Sequence, residues 1–592
     1  GLSTVRKQYD LLNAYEYATA LNDIRGSSTI SAEDLEAYKN GTKGINWTDL
    51  LTRTGITQDY RLAISGGNEK VKYLISGNVL DQEAITIMSD YKRYGIRANI
   101  DSEVKPWLTI SAKLNASSLH KHNEGGANWL HVTNFSPTME LKDPETGVYN
   151  TDPYNMIGSS PYGEMIVNNS DSYSYNLNAN LTLLFKIMKG LTLSVQGGYD
   201  YDNSPSYSFR SKLDSPGAIN SASNTSALHN YWQNTNNLTW QKQFGDHSFT
   251  AMAVWEISRS WDSQLKGTGS NLNNESVGYW NLGNAAIRDA SNSYTEFSLA
   301  SGIVRANYVY KKRYFITAAL RADGSSKFQG DNKWGYFPSV ALGWTISEED
   351  FMAKVSDWLS MLKLRLSWGQ TGNADISTNA FASYYAQEAY NKEDKSKQIG
   401  VFQGRLENPD LKWETTTEWN AGLDFGFFNG RISGSVEYYY KVISDLLNYK
   451  PLNSYQTITQ VIANIGKTKS TGIEVTLNTK NIVTKDFFWS TDLTFTKYKD
   501  RWKERTPDWK PAVYEKYDAP IRAIYSRRAD HILQIGEKVP DAQPLLLPGQ
   551  LVIKDINGYV RDANGDPVVD ENGRFQLLGH PDNIIDDADE MR

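Results

Sequence analysis

The most chemically specific residues of this chain lie near its end. Asp555, Asn557 and Gly558 open a D-x-N-G pattern, and Asp582, Asp586 and Asp589 stand where a calcium loop would continue if residues 559–581 were excised. Calcium takes six to eight hard oxygen ligands, which clustered carboxylates, Asn side chains and carbonyls supply. The intervening stretch holds a second partial copy in Asp562, Asn564, Asp566 and Asp570. The competing reading is a set of solvated turn acids, because the turn-defining Gly is displaced. A second group consists of aromatics in long connecting stretches: Trp129, Tyr154, Tyr162, Trp261, Tyr279 and Trp280. Their flat amphipathic rings suit stacking on sugars or packing on peptide side chains, with Asn128 and Asn155 as hydrogen-bonding neighbours. The plainer alternative is that they anchor the loops or meet a partner lid. No acid–base pair, nucleophile motif, P-loop or dinucleotide fingerprint is present, and the seven His are scattered, so no catalytic residue is assigned and an enzyme is not expected.

The elements that must carry these residues are strands. After about fifty residues of helical character, in which Tyr9 to Leu21 is apolar at helical spacing and Ser31 looks like a helix start, the period becomes two near Thr57. Leu191, Leu193, Val195 and Tyr199 oppose Thr192, Ser194, Gln196 and Asp200; Leu362, Leu364, Leu366 and Trp368 oppose Lys363, Arg365 and Ser367. The same split sets Ala421, Leu423 and Phe425 against Asp424, and Val436, Tyr438 and Tyr440 against Glu437. Roughly 16 such segments follow one another, most about 10 or more residues long.

Connection lengths decide between a sandwich and a barrel. Short links at 68–69, 102–105, 186–190, 245–246, 311–312, 429–430 and 481–486 alternate with long ones at 81–90, 119–170, 203–225, 261–293, 323–333, 372–413 and 444–467. Residues 347–359 fall on the short side and read as a small amphipathic helix. Every second strand end therefore faces the same side, and only that side carries elaborate loops. An all-β, large antiparallel up-and-down transmembrane barrel does this, with short periplasmic turns, long extracellular loops and about 16–17 strands present. In such a barrel the apolar row meets lipid and the polar row, including Arg365, Asp424 and Glu437, lines a hydrated lumen. Tyr199, Tyr308, Tyr310, Trp344, Trp368 and Tyr440 then fit interfacial girdles.

Composition agrees. The 592 residues carry 36 Tyr and 17 Trp but no Cys, which removes disulfide scaffolds and thiolate chemistry. A balance of 61 basic against 68 acidic residues argues against nucleic acid as a partner. No run approaches the ~20 apolar residues of a membrane-spanning helix. The mean hydropathy of -0.54 is no argument for solubility once half of each strand faces water.

The stretch Asn408-Pro409-Asp410-Leu411-Lys412-Trp413-Glu414-Thr415-Thr416, followed by Asn420-Ala421-Gly422-Leu423-Asp424, resembles a block typical of the SusC/RagA-like, TonB-dependent outer-membrane transporters of Bacteroidetes. Arg321, Asp323, Gly324, Ser325 and Ser326, then Trp334 to Ser339 and Ser367 to Asn373, resemble a second block. The resemblance implies a 22-stranded barrel filled by a plug, of which this chain is a part without the plug and the last strands. It divides the chain into a post-plug segment at 1–56, barrel strands with long loops at 57–518, and an extracellular acidic region at 519–592. It implies active import of an oligomeric nutrient, an oligosaccharide first and an oligopeptide second, with a passive porin-like barrel as the remaining alternative. Implied partners are a SusD-like surface lipoprotein, the TonB–ExbB–ExbD complex, outer-membrane lipid and the glycan or peptide itself. No cofactor is implied beyond a structural calcium ion. At that acidic region the chain departs from the family's pattern by its insertion and by Asn583 in place of Gly.

Overall fold

The computed structural model describes residues 1–26, 29–123, 129–152, 160–391, 397–453, 455, 458–507, 509–510, 516–523, 529–540, 543–553, 562–563 and 568. Sixteen strands of 12 to 26 residues run through it. They are β1 Gly55–Gly67, β2 Val71–Glu83, β3 Asp90–Lys105, β4 Leu108–Asn123, β5 Asn169–Met188, β6 Leu191–Arg210, β7 Ser221–Phe244 and β8 His247–Leu272. They continue as β9 Ala285–Tyr310, β10 Tyr314–Ser325, β11 Trp334–Thr345, β12 Leu359–Asn373, β13 Glu414–Phe427, β14 Ile432–Ser444, β15 Lys467–Val483 and β16 Phe488–Glu504. The chain divides into two compact units, Gly1–Trp240 with Met252–Gly302, and Gln241–Ala251 with Ile303–Arg592.

In the first unit, β1 to β7 pair antiparallel, each with the next in sequence. In the second, β10 to β16 do the same. This up-and-down ladder is the architecture expected of a barrel wall, and the register keeps the two faces in phase. Ile64, Ile75, Ala98, Leu114, Ala179, Tyr199 and Trp232 stand side by side on seven strands. One residue along, Ser76, Arg97, Asn115, Asn178, Asp200 and Tyr231 form a polar line. The second unit repeats this with Leu342, Leu366, Ala421, Tyr438 and Ile473 on one face. Because the side-chain period is two, a slip of one residue in any pair would exchange these faces, so patterning on both fixes the register. Many residues of the apolar row are solvent-open, among them Leu62 at 73% and Ile64 at 59%, which is the face a lipid phase would cover.

The alternation of short and long connections holds apart from 346–358 on the short side, and two long ones are shorter than the sequence predicts. β6 and β7 stay paired from Asn203↔Leu228 to Arg210↔Ser221, leaving only 211–220 between them. β8 likewise runs to Leu272 and β9 starts at Ala285. Trp261 therefore lies within a strand and not in a loop. Ser- and Asn-rich sequence looks like loop, yet water-exposed strands keep their ladder hydrogen bonds whatever their side chains. Spanning strands need about 9–11 residues, so strands of 20 to 26 extend well past the lipid at the long-connection end. Residues 347–359 also differ from expectation: Ile346–Glu348 and Asp350–Val355 are 3-10 turns. Glu349 is drawn in by Tyr314, Trp344 Nε1 and Arg313, which holds the segment to its strands in place of a regular helix.

The first fifty residues form α1 Ala14–Arg25, α2 Ala32–Lys39 and α3 Trp47–Leu51. Asn13 and Glu16 make a reciprocal capping box on α1, and Ser31 caps α2. Leu2–Ser3 pairs antiparallel with Gly55–Ile56, so both ends of this segment meet at the long-connection end of β1. There Trp47 and Leu51 share a buried cluster with Val132, Phe135 and Met165 from the connection between β4 and β5.

Candidate functional site

Three arrangements of chemically capable residues emerge. The first lies on the polar face of the second unit. Arg365 on β12, Gly422 on β13 and Glu437 on β14 are in direct register. The glycine leaves the guanidinium room: a Cβ there would come within 3.0 Å of it. Arg365 therefore reaches over β13 to Glu437 Oε1 at 2.7 Å, and donates two bonds to Asp424 at 2.8 and 2.7 Å. The three residues expected on a hydrated wall are thus one network, a bidentate fork with a second carboxylate, stronger than neutral hydrogen bonds. Arg365→Ala leaves two neighbouring carboxylates uncompensated in partly buried positions. The expected loss is about 2 kcal/mol, with Arg365→Lys intermediate because an ammonium lacks the fork. Thermal unfolding of the purified whole transporter checks this; equal midpoints for Ala, Lys and wild type would show the network contributes nothing.

The second lies at the long-connection end of the first unit. His120 and His122, two apart on β4, face Asp171 on β5 in the neighbouring register positions. Asp171 Oδ1 lies 2.7 Å from His120 Nε2 and 3.0 Å from His122 Nδ1, and Oδ2 accepts from the Tyr279 hydroxyl at 2.7 Å. Rings continue outward: His120 stacks on Tyr173 at 4.4 Å, and Tyr207 lies 5.4 Å from Tyr279 and 5.5 Å from Trp280. Tyr279 is buried while Trp280 is 73% exposed. Burial, then the bond to Asp171, pushes the Tyr279 phenol well above its ordinary value, so it remains a donor. Asp171, Tyr173 and Tyr207 share strand parity with Leu177, Ala179 and Tyr199, so this cluster sits on the apolar-row face beyond the lipid-spanning stretch. Trp261 belongs to the same face. Its neighbours Trp255 and Ile257 are exposed apolar residues, whereas Glu256 bonds Gln233 and Thr235 on the polar side.

The turn that presents Trp280 is held by Glu275, which accepts from Ser211 Oγ, Lys212 N and Asn220 Nδ2 at 2.7 to 2.8 Å. Burial pushes this carboxyl up, but those three donors outweigh it and hold it below the usual carboxylate range. A depressed folded value stabilises the turn above the unfolded value of about 4.3 and loses that contribution as pH falls through the folded one. Opening of residues 273–284, read as amide exchange relative to the intrinsic rate at each pH, should therefore increase below about pH 4 in wild type. In Glu275→Gln it should be faster at neutral pH and no longer acid-dependent; an unchanged acid profile in that variant would refute the assignment.

The third arrangement is the core of the long connections in the second unit. Leu411 and Phe328 are fully buried with Ala380 and Ile462. Trp413 packs 5.5 Å from Phe328 and 5.6 Å from Phe337 and donates to the Lys333 carbonyl. Asn408 donates to the Ile462 carbonyl, and Glu414 accepts from Asn373 and from the Leu447 amide. Arg321 pairs with the buried Asp323, and Ser325 is buried beside them. Gly324 lies against the Trp334 ring. The two motif blocks, with Pro409, Asp410 and Ser326 among them, thus meet as a lock that ties several loops together.

Of the remaining aromatics, Trp129 is 40% exposed at the start of a helix at Trp129–Asn134, and Tyr162 packs on the cluster around Trp47. Tyr154 lies outside the described residues, as do Asp555, Asn557, Asp582, Asp586 and Asp589. Among the described residues no group of three His, Asp or Glu side chains is arranged to hold a metal ion. Sequence alone does not reveal the His120–His122–Asp171 group. A His-x-His pair on one strand face is a legible signal, but its carboxylate partner is 49 residues away from His122 and appears only with the register.

Residues 106–531 match a family model described as TonB dependent receptor-like, beta-barrel. The chain is 28% identical to TonB-dependent receptor SusC of Bacteroides thetaiotaomicron, over 97% of this chain and 58% of that protein. It is 29% identical to TonB-dependent receptor P3 of Formosa agariphila, over 91% of this chain and 53% of that protein. It spans little more than half the length of these relatives. A solved RagAB peptide transporter superposes with a TM-score of 0.78 at 19% identity, covering 95% of this chain and 66% of that one, a likeness of fold.

Proposed function

The chain belongs to the TonB-dependent receptor-like β-barrel family, and from that premise we propose that it is the barrel part of an outer-membrane importer of SusC/RagA type. The motif resemblance is borne out by these matches. The observation that carries the transport reading is the two-faced register: an exposed apolar row for lipid and a continuous polar row, with the Arg365–Asp424–Glu437 network, for a hydrated path. Such a wall binds and gates, with no bond made or broken.

The cargo is an oligomeric nutrient, an oligosaccharide in the first reading. Trp129 and Trp280 offer exposed ring faces at the long-connection end for stacking. Tyr154, Tyr162 and Trp261 complete the aromatic set expected from the sequence, and Tyr279 is buried against Asp171 beneath Trp280. A SusD-like surface lipoprotein resting on that rim, and TonB with ExbB and ExbD acting through a plug, complete the proposed machine. A structural calcium ion at Asp555, Asn557, Asp582, Asp586 and Asp589 is proposed on donor chemistry alone. The oligopeptide reading has its own support in the fold likeness to the RagAB peptide transporter. Growth of a strain lacking the whole gene separates them. Oligosaccharide import predicts loss of growth on at least one glycan of a panel as sole carbon source; normal growth on every glycan with loss on peptides would replace it by the second reading.

A further inference from the structure

The segment between Ser3 and Gly55 does more than join two strands. Residues 8–13 form a strap that leads into α1, the turn after α2 leads into α3, and residues 132–137 close the third side, enclosing a groove of about 790 Å³. That volume is of the order that holds a drug-sized or oligomeric ligand. Its floor is apolar and fixed: Trp47, Val132 and Phe135 are 2–3% exposed, and the indole Nε1 is held by the Ser136 carbonyl at 3.0 Å. The strap is fastened at its start by Gln8 Nε2 donating to Asp49 Oδ1 at 2.8 Å and at its end by the Asn13 capping box, while Tyr9 is 75% exposed.

The rim carries the phenols of Tyr9 and Tyr15 and the amides of Asn13 and Asn40, whose Oδ1 atoms already accept from Glu16 N and from Thr42, with Asp10 on the strap. Its lysines are engaged locally, Lys43 with Asp34 at 2.7 Å and Lys39 with Glu36 at 4.0 Å. The lining consists of helix and turn side chains, with no strand edge among these residues, so the backbone pairing by which extended peptides are captured has no template here. An apolar floor beneath phenols, amides and the carboxylate of Asp10 fits a ligand with ring faces and many hydroxyls. A single carboxylate such as Asp10 accepts two hydrogen bonds from a vicinal diol.

We propose that this groove is a surface subsite for a neutral oligosaccharide, at the long-connection end of the wall. The proposal rests on the oligosaccharide reading of the cargo, and it places a first capture point outside the polar path. The test is calorimetric titration of the purified whole transporter with maltohexaose, laminarihexaose and mannohexaose, beside a pool of hexapeptides. At least one hexasaccharide is expected to bind. Tyr9→Ala combined with Asn40→Ala, both surface changes, should weaken it about tenfold, a difference of about 1.4 kcal/mol. Glu69→Ala, in a short turn at the other end of β1, should leave it unchanged. Absence of binding by all three hexasaccharides, equal affinity in the double variant, or a loss confined to peptides would overturn the subsite. Because titration needs no TonB, it separates from the transport reading: TonB-dependent uptake with no effect of the double variant on binding would remove the groove alone.

Discussion

Phe328→Ala should lower stability by about 4 kcal/mol. The ring, itself in the connection 326–333, is fully buried and meets Ala380 and Leu411 from the connection 374–413 and Ile462 from 445–466. Removing it loses the transfer energy of an aromatic side chain and leaves a cavity whose walls are pinned by hydrogen bonds from Asn408 and Trp413. The strand ladder lies elsewhere, so the loss should fall on the loops. Limited proteolysis should cut within 374–413 and 445–466 much faster than in wild type, while the strands remain protected. Unchanged cleavage would mean that the motif block locks nothing.

The second large effect concerns the helical segment. Trp47 is 3% exposed, meets Phe135 edge-to-face at 5.1 Å and donates to the Ser136 carbonyl. Trp47→Ala removes the ring that joins α3 to the connection after β4, with an expected cost of about 4 kcal/mol. Hydrogen exchange should rise together in 14–51 and 129–139 and stay constant in β1 to β4. A rise in only one of the two stretches would show that they do not depend on each other.

Much of the fold is legible in the sequence because a two-faced strand repeats every second residue and short turns alternate with long links. The ends of strands were less legible. Residues 203–210 and 261–272 are rich in Ser, Asn and Gly, which read as loop, but both continue their strands, 203–210 in ladder with 221–228. Ser31 announced α2 through its cap, whereas α3 has only five residues, too few for a period to show. The polar network is half legible: parity puts Arg365, Asp424 and Glu437 on one face, but only register puts Gly422 beneath the guanidinium. Motif residues such as Leu411 and Trp413 identify the family without revealing that their work is to pack one loop against another. Tyr279 and Trp280 read as loop aromatics from sequence, and the parity of Tyr207 puts the strand face they pack on with the apolar row.

The proposed function is energised import through this wall. Its most direct test is uptake of a fluorescently labelled oligosaccharide by cells that depend on the whole transporter, measured with TonB present, deleted and restored. Uptake should fall to background on deletion and return on complementation. Uptake that persists at the same rate without TonB would contradict the account and leave a passive pore.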